Sequence, residues 1–361
     1  MSEPTLGRVV VGMSGGVDSA VAALRLLEAG HDVHGLFMSN WDDDDSYCTS
    51  AQDYQDARAT ARELGIVLHR VSFEPEYRQQ VFARFLEEYR RGRTPNPDVL
   101  CNREIKFGVC QDYARRLGAA WFATGHYARL AAGSAGPELL RGRDAGKDQS
   151  YFLCGVERAQ FNQVLFPLGD LTKEQVRARA RSAGLPVFDK ADSTGICFIG
   201  ERPFRDFLAQ YLPENPGPIE TADGRTLGTH RGLHFYTLGQ RSGLEIGGIS
   251  GERGEPWYVA RKDADRNALI VVAANDRASV SSAAARTATV NWLLDPPAPV
   301  FSATVKLRYR QADQSVEITC LADGSARLQF ASPQWAVTPG QTAAFYLEDR
   351  CLGGGVIEES L

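Results

Sequence analysis

The chain opens with a short apolar run, residues 7–13, that ends at glycines, as the buried strand of a parallel sheet does. After a glycine-rich loop, helix-forming residues occupy 19–29, and Gly30 follows where a helix commonly stops. A second apolar run at 33–38 predicts another buried strand. A strand, a glycine-rich loop, a helix and a second strand in this order predict a doubly wound α/β domain.

The alternation of helices and strands continues as far as Leu212, and the character of the sequence then changes. Residues 213–218 are rich in proline and glycine, and short strands separated by turns follow. Strands at this spacing favour a small sandwich or barrel, and we assign a barrel to the last part. We therefore expect an α/β catalytic domain at 1–212, a β-rich central domain at 213–280 and a C-terminal β-barrel at 281–361.

The composition is that of a globular protein with several domains. A chain of 361 residues exceeds one ordinary core, and its 43% apolar and 24% charged residues are typical of soluble proteins. The first residues contain no targeting pattern and no stretch is apolar enough to span a bilayer, so we expect a cytoplasmic protein. The net charge of −5 argues weakly against a nucleic-acid partner.

The cysteines indicate neither a disulfide scaffold nor a zinc site. There are seven, an odd number, and they are spread over the chain without a CxxC pair or zinc-type spacing with histidine. The sequence therefore predicts no metal ligand set. Any cysteine with a chemical role must be brought to its partner by the fold.

The loop at 14–19 reads Ser-Gly-Gly-Val-Asp-Ser and lacks the Lys-Ser/Thr ending of a Walker loop. Gly15 and Gly16 let backbone N–H groups approach phosphate oxygens, and the following helix adds the positive end of its dipole. A plain turn is the alternative, but this sequence between a strand and a helix favours a nucleotide. Asp18 beside phosphates requires either Mg²⁺ or a contact that shapes the loop.

Two further segments should border the same crevice, because ligands of open α/β sheets lie outside the carboxyl ends of the strands. Met38 ends the second strand, and residues 124–126 end the strand that contains Phe122. A base can pack on Met38, while Gly125 permits close backbone approach. The loop resembles the PP-loop of ATP pyrophosphatases, which split ATP into AMP and pyrophosphate while adenylylating a substrate.

Two cysteines differ from the rest. Asp98 and Cys101 lie three residues apart in a proline-rich stretch, and Cys197 follows a Ser-Thr-Gly turn, so we expect both thiols to lie in loops. Cys48, in an acidic loop, is undecided. The other four lie on apolar patterns and are expected to be buried and inert: Cys110, Cys154, Cys320 and Cys351.

Five segments together resemble the bacterial tRNA-specific 2-thiouridylases, a family of PP-loop ATP pyrophosphatases, over nearly the whole chain. They are residues 12–19, 96–102, 147–152, 193–197 and 236–241. The resemblance implies an adenine nucleotide alpha hydrolase-like catalytic domain. It also implies sulfur insertion at C2 of the wobble uridine, position 34, of tRNAs for Lys, Glu and Gln.

The resemblance further implies the roles of the reacting groups. Cys197 would carry sulfur as a persulfide delivered by a donor protein, and Cys101 would be the nucleophile that completes transfer. Asp98 would be the general acid/base. Turnover would leave a transient Cys101–Cys197 disulfide that an external thiol reduces. ATP, with Mg²⁺, would be bound by Gly12, Met13, Ser14, Gly15, Gly16, Val17, Asp18, Ser19, Met38 and Gly125.

The tRNA partner would be held by residues from several parts of the chain. The resemblance implies that tRNA or its target base contacts Asn96, Pro97, Asp98, His126, Lys147, Asp148, Gln149, Arg308, Tyr309 and Gln341. Local charge agrees, because residues 90–106 carry a net charge of +3. Alternation in 305–310 predicts a strand with Lys306, Arg308 and Arg310 on its outer face.

Three alternatives stay open. A PP-loop amidotransferase or ligase would pass nitrogen instead of sulfur, and a non-enzymatic tRNA-binding module would only retain the loop. An iron–sulfur cluster held by Asp98, Cys101 and Cys197 is less favoured than a persulfide, because two thiols and one carboxylate are an incomplete ligand set.

Overall fold

The computed structural model describes residues 6–41, 50–192, 204–246 and 256–361. The first part contains seven strands, of which five form one parallel sheet of order β3-β2-β1-β4-β7. They are β1 (Arg8–Gly12), β2 (Asp32–Ser39), β3 (Val67–Ser72), β4 (Trp121–Ala123), β5 (Ala128–Gly133), β6 (Gly136–Arg141) and β7 (Val164–Leu165).

The described helices lie mainly in this part. They are α1 (Val17–Glu28), α2 (Ser50–Glu63), α3 (Glu74–Tyr77), α4 (Ala83–Arg90), α5 (Pro97–Leu100), α6 (Gln111–Arg116), α7 (Ser150–Leu153), α8 (Lys173–Ser182) and α9 (Phe204–Ala209). Wider π-helical turns join α3 to α4 at Arg78–Phe82 and α5 to α6 at Cys101–Cys110.

The central strand explains the layered architecture. Val9, Val10 and Val11 of β1 are completely buried, and Val10 belongs to a different core cluster from its two neighbours. Both faces of the sheet are therefore covered, which is why the strand is a continuous apolar run. The predicted doubly wound α/β domain is confirmed.

Helix α8 begins at a capping box formed by Thr172 and Gln175. The Thr172 hydroxyl accepts the Gln175 amide at 3.3 Å, and the Gln175 side chain accepts the Thr172 amide at 2.9 Å. These two bonds satisfy donors that the first turn leaves without intrahelical partners.

The stretch that carries Asp98 and Cys101 is not a loop, so that expectation was wrong. Helix α5 starts at Pro97, and the backbone stays helical through Cys101. Proline is well suited to the first helical position, where no amide donor is needed. The Asn96 side chain caps the helix by accepting the Asp98 amide at 3.2 Å. The prolines thus start a helix instead of stiffening a loop.

The second part is a small mixed sheet of order β10-β11-β8-β9. Its strands are β8 (Gly217–Thr221), β9 (Thr226–His230), β10 (Trp257–Asp263) and β11 (Ala268–Ala273). The apolar strand β11 lies inside the sheet, and most of its side chains are buried.

The third part is a closed antiparallel barrel, which confirms the predicted C-terminal β-barrel. Six strands follow the order β12-β16-β15-β14-β17-β18, and pairing of β18 with β12 closes the ring. The strands are β12 (Ser281–Thr287), β13 (Asn291–Trp292), β14 (Val300–Lys306), β15 (Gln314–Cys320), β16 (Ala326–Trp335), β17 (Thr342–Leu347) and β18 (Arg350–Ser360). The short β13 pairs with β18 beside the ring.

The strand predicted for 305–310 ends early. β14 stops at Lys306, and Arg308 lies in the bend that follows. The expected outer face therefore does not include Arg308, whose guanidinium turns to backbone acceptors inside the molecule.

A hairpin from the first part joins the barrel. β5 and β6 pair with each other, and Leu140 of β6 pairs with Arg350 of β18. The Arg129 guanidinium contacts the Asp349 carboxylate at 3.0 Å. The sequence did not reveal this extension. Within the described ranges, no helix combines the length and apolarity that crossing a membrane requires.

Candidate nucleotide and thiol site

The glycine-rich loop lies between β1 and α1 and has a shape that only glycine fits at one position. Gly15 has φ of +75°, and a Cβ there would overlap the backbone carbonyl of Asp53 in α2. The Ser14 amide donates to Ser19 Oγ at 3.1 Å, and Ser19 Oγ donates to the Gly16 carbonyl at 3.1 Å. The Ser19 hydroxyl thus fixes the loop from inside.

The segments predicted to border the crevice lie at the carboxyl ends of β2 and β4, the two neighbours of the strand that leads into this loop. A Cβ on Gly125 would be 2.9 Å from the backbone of Asp18 and Ser19, so the segment after β4 lies directly against the start of α1. Met38 is partly buried near the end of β2, opposite Val71 of β3. The fold brings the three segments together at the carboxyl edge of the sheet.

Asp18 makes the contact that shapes the loop. Its two carboxylate oxygens each accept a hydrogen bond from Lys173 Nζ at 2.8 Å, and one also accepts the Tyr127 hydroxyl at 2.8 Å. Burial and the neighbouring Asp18 charge raise the pKa of Tyr127, which therefore stays a donor. The carboxylate is occupied by protein groups, so Mg²⁺ would be held chiefly by the phosphates of a nucleotide.

A second carboxylate, that of Asp192, forms ion pairs with three basic side chains near the loop. Asp192 contacts Lys147 at 2.7 Å, Lys173 at 2.7 Å and Arg177 at 2.9 Å. Burial alone would raise the pKa of Asp192, but hydrogen bonds from Lys147 and Lys173 lower it to about 2. Lys173 therefore bridges two carboxylates, Asp18 and Asp192.

Lys190 lies on another side of the same loop. Its amine donates to the Gly15 carbonyl at 3.0 Å and to Asp53 at 2.7 Å, and it also contacts Asp56. The phosphate loop is thus bordered by two lysines that residue patterns did not single out. One signal was present for Lys173, because a cation at the first position of a helix opposes the dipole that favours acids there.

Asp98 and Cys101 lie one helical turn apart. The Asn102 side chain donates to the Asp98 carbonyl at 3.0 Å and to the Phe152 carbonyl at 3.3 Å, which ties this turn to α7. Burial raises the pKa of the Asp98 carboxyl, although the Lys106 charge opposes the shift. A carboxyl whose pKa is moved towards neutrality suits proton transfer.

The cysteines that the structure describes differ in how deeply they are buried. Cys101 is only 2% exposed. Cys197 lies outside the described residues, as does Cys48. The predicted burial is confirmed for Cys110, Cys154 and Cys351, and burial raises the pKa of Cys110 to about 12. For Cys320 it was wrong, since that side chain is partly exposed.

Residues 147–149 build a turn beside the loop. The buried Asp148 carboxylate accepts the Gly142 amide at 2.9 Å and the Ser150 hydroxyl at 3.0 Å. The Gln149 side chain accepts the Tyr127 amide at 3.0 Å. Lys147 is 39% exposed and faces solvent in part. Asp148 and Gln149 therefore hold the turn that presents Lys147.

His126 is buried at the base of the crevice. Its Nδ1 lies 2.7 Å from the Thr124 hydroxyl, and its ring packs against Phe107 and Phe166 with centroids 5.9 and 6.0 Å away. Burial keeps the pKa of His126 well below its usual range, so the ring is neutral. A contact between His126 and tRNA stays a prediction.

Arg308, Tyr309 and Gln341 lie where the three parts of the chain meet. The Arg308 guanidinium donates to the Leu238 carbonyl at 3.0 Å and to the Ala336 carbonyl at 3.2 Å. The Tyr309 ring packs on Phe152, with centroids 4.4 Å apart. Gln341 Nε2 donates to the Thr94 carbonyl at 2.8 Å, just before α5. Their implied tRNA contacts stay predictions.

No metal site is formed by the residues that the structure describes. Within these ranges, no three His, Cys, Asp or Glu side chains converge as metal ligands. The iron–sulfur alternative requires Cys197, which lies outside them.

Three family models match successive stretches of the chain. Residues 7–201 match the family model described as tRNA methyl transferase HUP domain, 205–273 match tRNA methyl transferase PRC-barrel domain, and 282–357 match Aminomethyltransferase beta-barrel domain. Among solved structures, the U34-tRNA thiolase NcsA from Methanococcus maripaludis is 17% identical, covering 57% of this chain and 64% of its own, with a TM-score of 0.35.

Full-length relatives are much more similar. The chain is 51% identical to the tRNA-specific 2-thiouridylase MnmA of Methylobacillus flagellatus, over 98% of this chain and 99% of the relative. It is 52% identical to the protein of the same name from Marinobacter nauticus, over 99% and 92%. Similarity at this level extends through all three parts of the fold. The chain belongs to the family of tRNA-specific 2-thiouridylases.

Proposed function

We propose that the protein is an ATP-dependent tRNA sulfurtransferase that makes 2-thiouridine at the wobble position of tRNAs for Lys, Glu and Gln. The observation that carries the proposal is that a single domain contains both the phosphate loop and the reacting side chains. A phosphate loop lies at the carboxyl edge of its sheet, and Asp98 and Cys101 lie one turn apart on its α5 segment. Family membership supplies the substrate class.

Activation of the base comes first. The C2 oxygen of uridine is a poor leaving group, and its attack on the α-phosphorus of ATP forms an O-adenylyl uridine and releases pyrophosphate. The amides of Gly15 and Gly16 and the start of α1 would hold phosphate oxygens. Mg²⁺, bound with the nucleotide, would neutralise phosphate charge. Met13, Val17, Met38 and the other residues implied by the resemblance would complete the ATP site.

Sulfur transfer follows from the activated base. The terminal sulfur of a Cys197 persulfide attacks C2, and AMP leaves with the C–O bonding electrons. The Cys101 thiolate then attacks the Cys197 sulfur, which breaks the S–S bond to the base and leaves 2-thiouridine. Alternatively, Cys101 attacks the persulfide first and releases sulfide, which attacks C2. Either order leaves a Cys101–Cys197 disulfide that two electrons from an external thiol must reduce.

Asp98 would move the protons of these steps. Asn96 fixes the turn that carries it, through its cap on the Asp98 amide. The carboxyl would accept a proton from the attacking thiol and return it to the departing group. The persulfide itself would come from a separate donor protein.

The loop glycine offers a direct test of nucleotide binding. Gly15→Ala places an alanine in a left-handed backbone conformation, and its Cβ would overlap the Asp53 carbonyl. The loop must therefore move, which displaces the amides that would bind phosphate. Such strain costs about 1–3 kcal/mol, and we expect the dissociation constant for Mg·ATP to rise about ten- to hundredfold. Titration calorimetry measures this.

Gly65→Ala is the matched control. Gly65 also has a positive φ, +67°, but a Cβ there meets no atom within 4 Å. The variant should lose only the stability that a left-handed alanine costs, and it should bind ATP like the wild type. Equal ATP affinity in Gly15→Ala and the wild type would exclude this loop as the phosphate site.

The overall proposal is tested by nucleoside mass spectrometry of tRNA incubated with the protein, Mg·ATP and an isotopically labelled sulfur donor. We expect labelled 2-thiouridine together with AMP and pyrophosphate. Absence of the thionucleoside would refute the assignment, and absence of AMP would favour a non-enzymatic tRNA-binding module. Anaerobic purification followed by an absorbance spectrum distinguishes the persulfide route from an iron–sulfur cluster.

A further inference from the structure

The five residues that lead into α5 are held by both other parts of the chain. We call residues 92–96 the strap, since they join α4 to the helix that carries Asp98 and Cys101. From the central sheet, Lys262 Nζ donates to the Gly92 carbonyl at 2.9 Å. From the barrel, the Pro339 carbonyl accepts the Thr94 amide at 2.9 Å.

The barrel and strap are in direct backbone contact. Gly340 has φ of +93°, and a Cβ there would lie 2.9 Å from the backbone N, C and O of Thr94. Gln341 Nε2 donates to the Thr94 carbonyl at 2.8 Å. Thr94 is 8% exposed, and its hydroxyl lies 3.3 Å from that of Thr237. Thr94 is therefore fixed on several sides by groups outside its own domain.

The Lys262 contact is made by an amine that is costly to bury. Burial lowers the pKa of Lys262 to about 8. Within the described residues, no carboxylate lies at ion-pair distance from this amine. Burial of an amine costs free energy, and the hydrogen bond that Lys262 donates to the Gly92 carbonyl offsets part of that cost.

The strap leads directly into the helical turn that carries the reacting groups. Asn96 and Pro97 follow Thr94 and Pro95 directly, and both prolines have a fixed φ. A displacement of Thr94 therefore shifts the start of α5 instead of being absorbed by flexible backbone. Asp98 lies at the second residue of that helix.

We propose that Lys262 and Gly340 are positioning residues for sulfur transfer: through the strap, the central sheet and the barrel set the place of Asp98 and Cys101. The inference rests on the proposed roles of those two residues. It gives the two β-rich parts a task in the chemical step, distinct from contact with tRNA.

The test uses the full chain with Gly340→Ala and, independently, Lys262→Met. We expect kcat for 2-thiouridine formation to fall roughly 10- to 100-fold, while KM for tRNA stays unchanged. Hydrogen exchange should become faster in peptides that cover 92–101 and stay the same elsewhere. Lys262→Arg, which keeps a cationic donor, should recover part of kcat.

The matched control is Gly324→Ala in the turn between β15 and β16. Gly324 has a similar φ of +81°, but a Cβ there meets the Thr289 side chain and not the strap. The Gly324→Ala variant should leave both kcat and the hydrogen exchange of the strap unchanged. If Gly340→Ala fails to fold, the Lys262→Met variant alone tests the proposal.

Two results would overturn the proposal. One is unchanged exchange of the strap in Lys262→Met, and the other is a loss that falls on KM for tRNA with kcat preserved. Exchange is measured without turnover. A wild-type protein that makes no 2-thiouridine would therefore refute the proposed function and still leave the mechanical role of Lys262 and Gly340 measurable.

Discussion

Cys101→Ser is expected to abolish 2-thiouridine formation, by about 10³-fold or more, while ATP binding is retained. A serine hydroxyl is not ionised at neutral pH and cannot take over the sulfur exchange that a thiolate performs. Because adenylylation precedes sulfur attack, one equivalent of pyrophosphate should still be released from ATP and tRNA. Nucleoside mass spectrometry and a single-turnover pyrophosphate assay measure the two steps separately.

Cys320→Ser is the control for this experiment. Cys320 is a partly exposed thiol at the end of β15 in the barrel, so its replacement should leave both steps intact. Cys197→Ser should reproduce the defect of Cys101→Ser. Retained turnover in both variants would instead support the rival that transfers nitrogen.

Asp98→Asn is expected to lower kcat by about 10²–10⁴-fold, the usual contribution of a general acid/base. The asparagine amide keeps the size of the side chain but cannot exchange a proton. The pH dependence that Asp98 gives the wild-type rate should disappear with it. Asp112→Asn, at a largely exposed carboxylate of α6, is the control and should behave as the wild type.

Asp98→Asn should also stabilise the fold at neutral pH. Burial raises the pKa of Asp98 in the folded state, so its contribution to stability is fully present below the unfolded pKa of about 3.9. It is lost as pH rises through the folded pKa. The asparagine side chain of the variant stays neutral at every pH, so the variant's advantage in urea unfolding should grow with pH. A variant that is less stable than the wild type throughout the pH range would contradict a desolvated carboxyl.

The α/β architecture and the phosphate loop were predictable because both depend on short-range order in the sequence. An apolar run, two glycines and a helix occur in succession, and the left-handed Gly15 is a local requirement of that loop. The capping box at Thr172 was visible for the same reason. Local rules nevertheless failed at Pro97, where a proline followed by an acid is compatible with either a loop or a helix start.

The charge network could not be predicted, because its members are far apart in the chain. Lys173 meets Asp18, and Lys190 meets the Gly15 carbonyl, only after the sheet is assembled. Arg308 illustrates the converse error: alternation suggested a solvated face, but the bend after Lys306 turned the guanidinium to carbonyl groups. A single sequence gives no sign of which distant acceptors a long basic side chain will reach.

The attachment of β6 to β18 has a consequence for how the protein is made. The hairpin leaves the ribosome long before β18 is synthesised. The outer edge of β6 is therefore unpaired during much of translation. Unpaired edges are sites of aggregation. We therefore expect chaperones to bind nascent chains at this hairpin, which lies in the first half of the chain. Chains that terminate before β18 should expose the same unpaired edge.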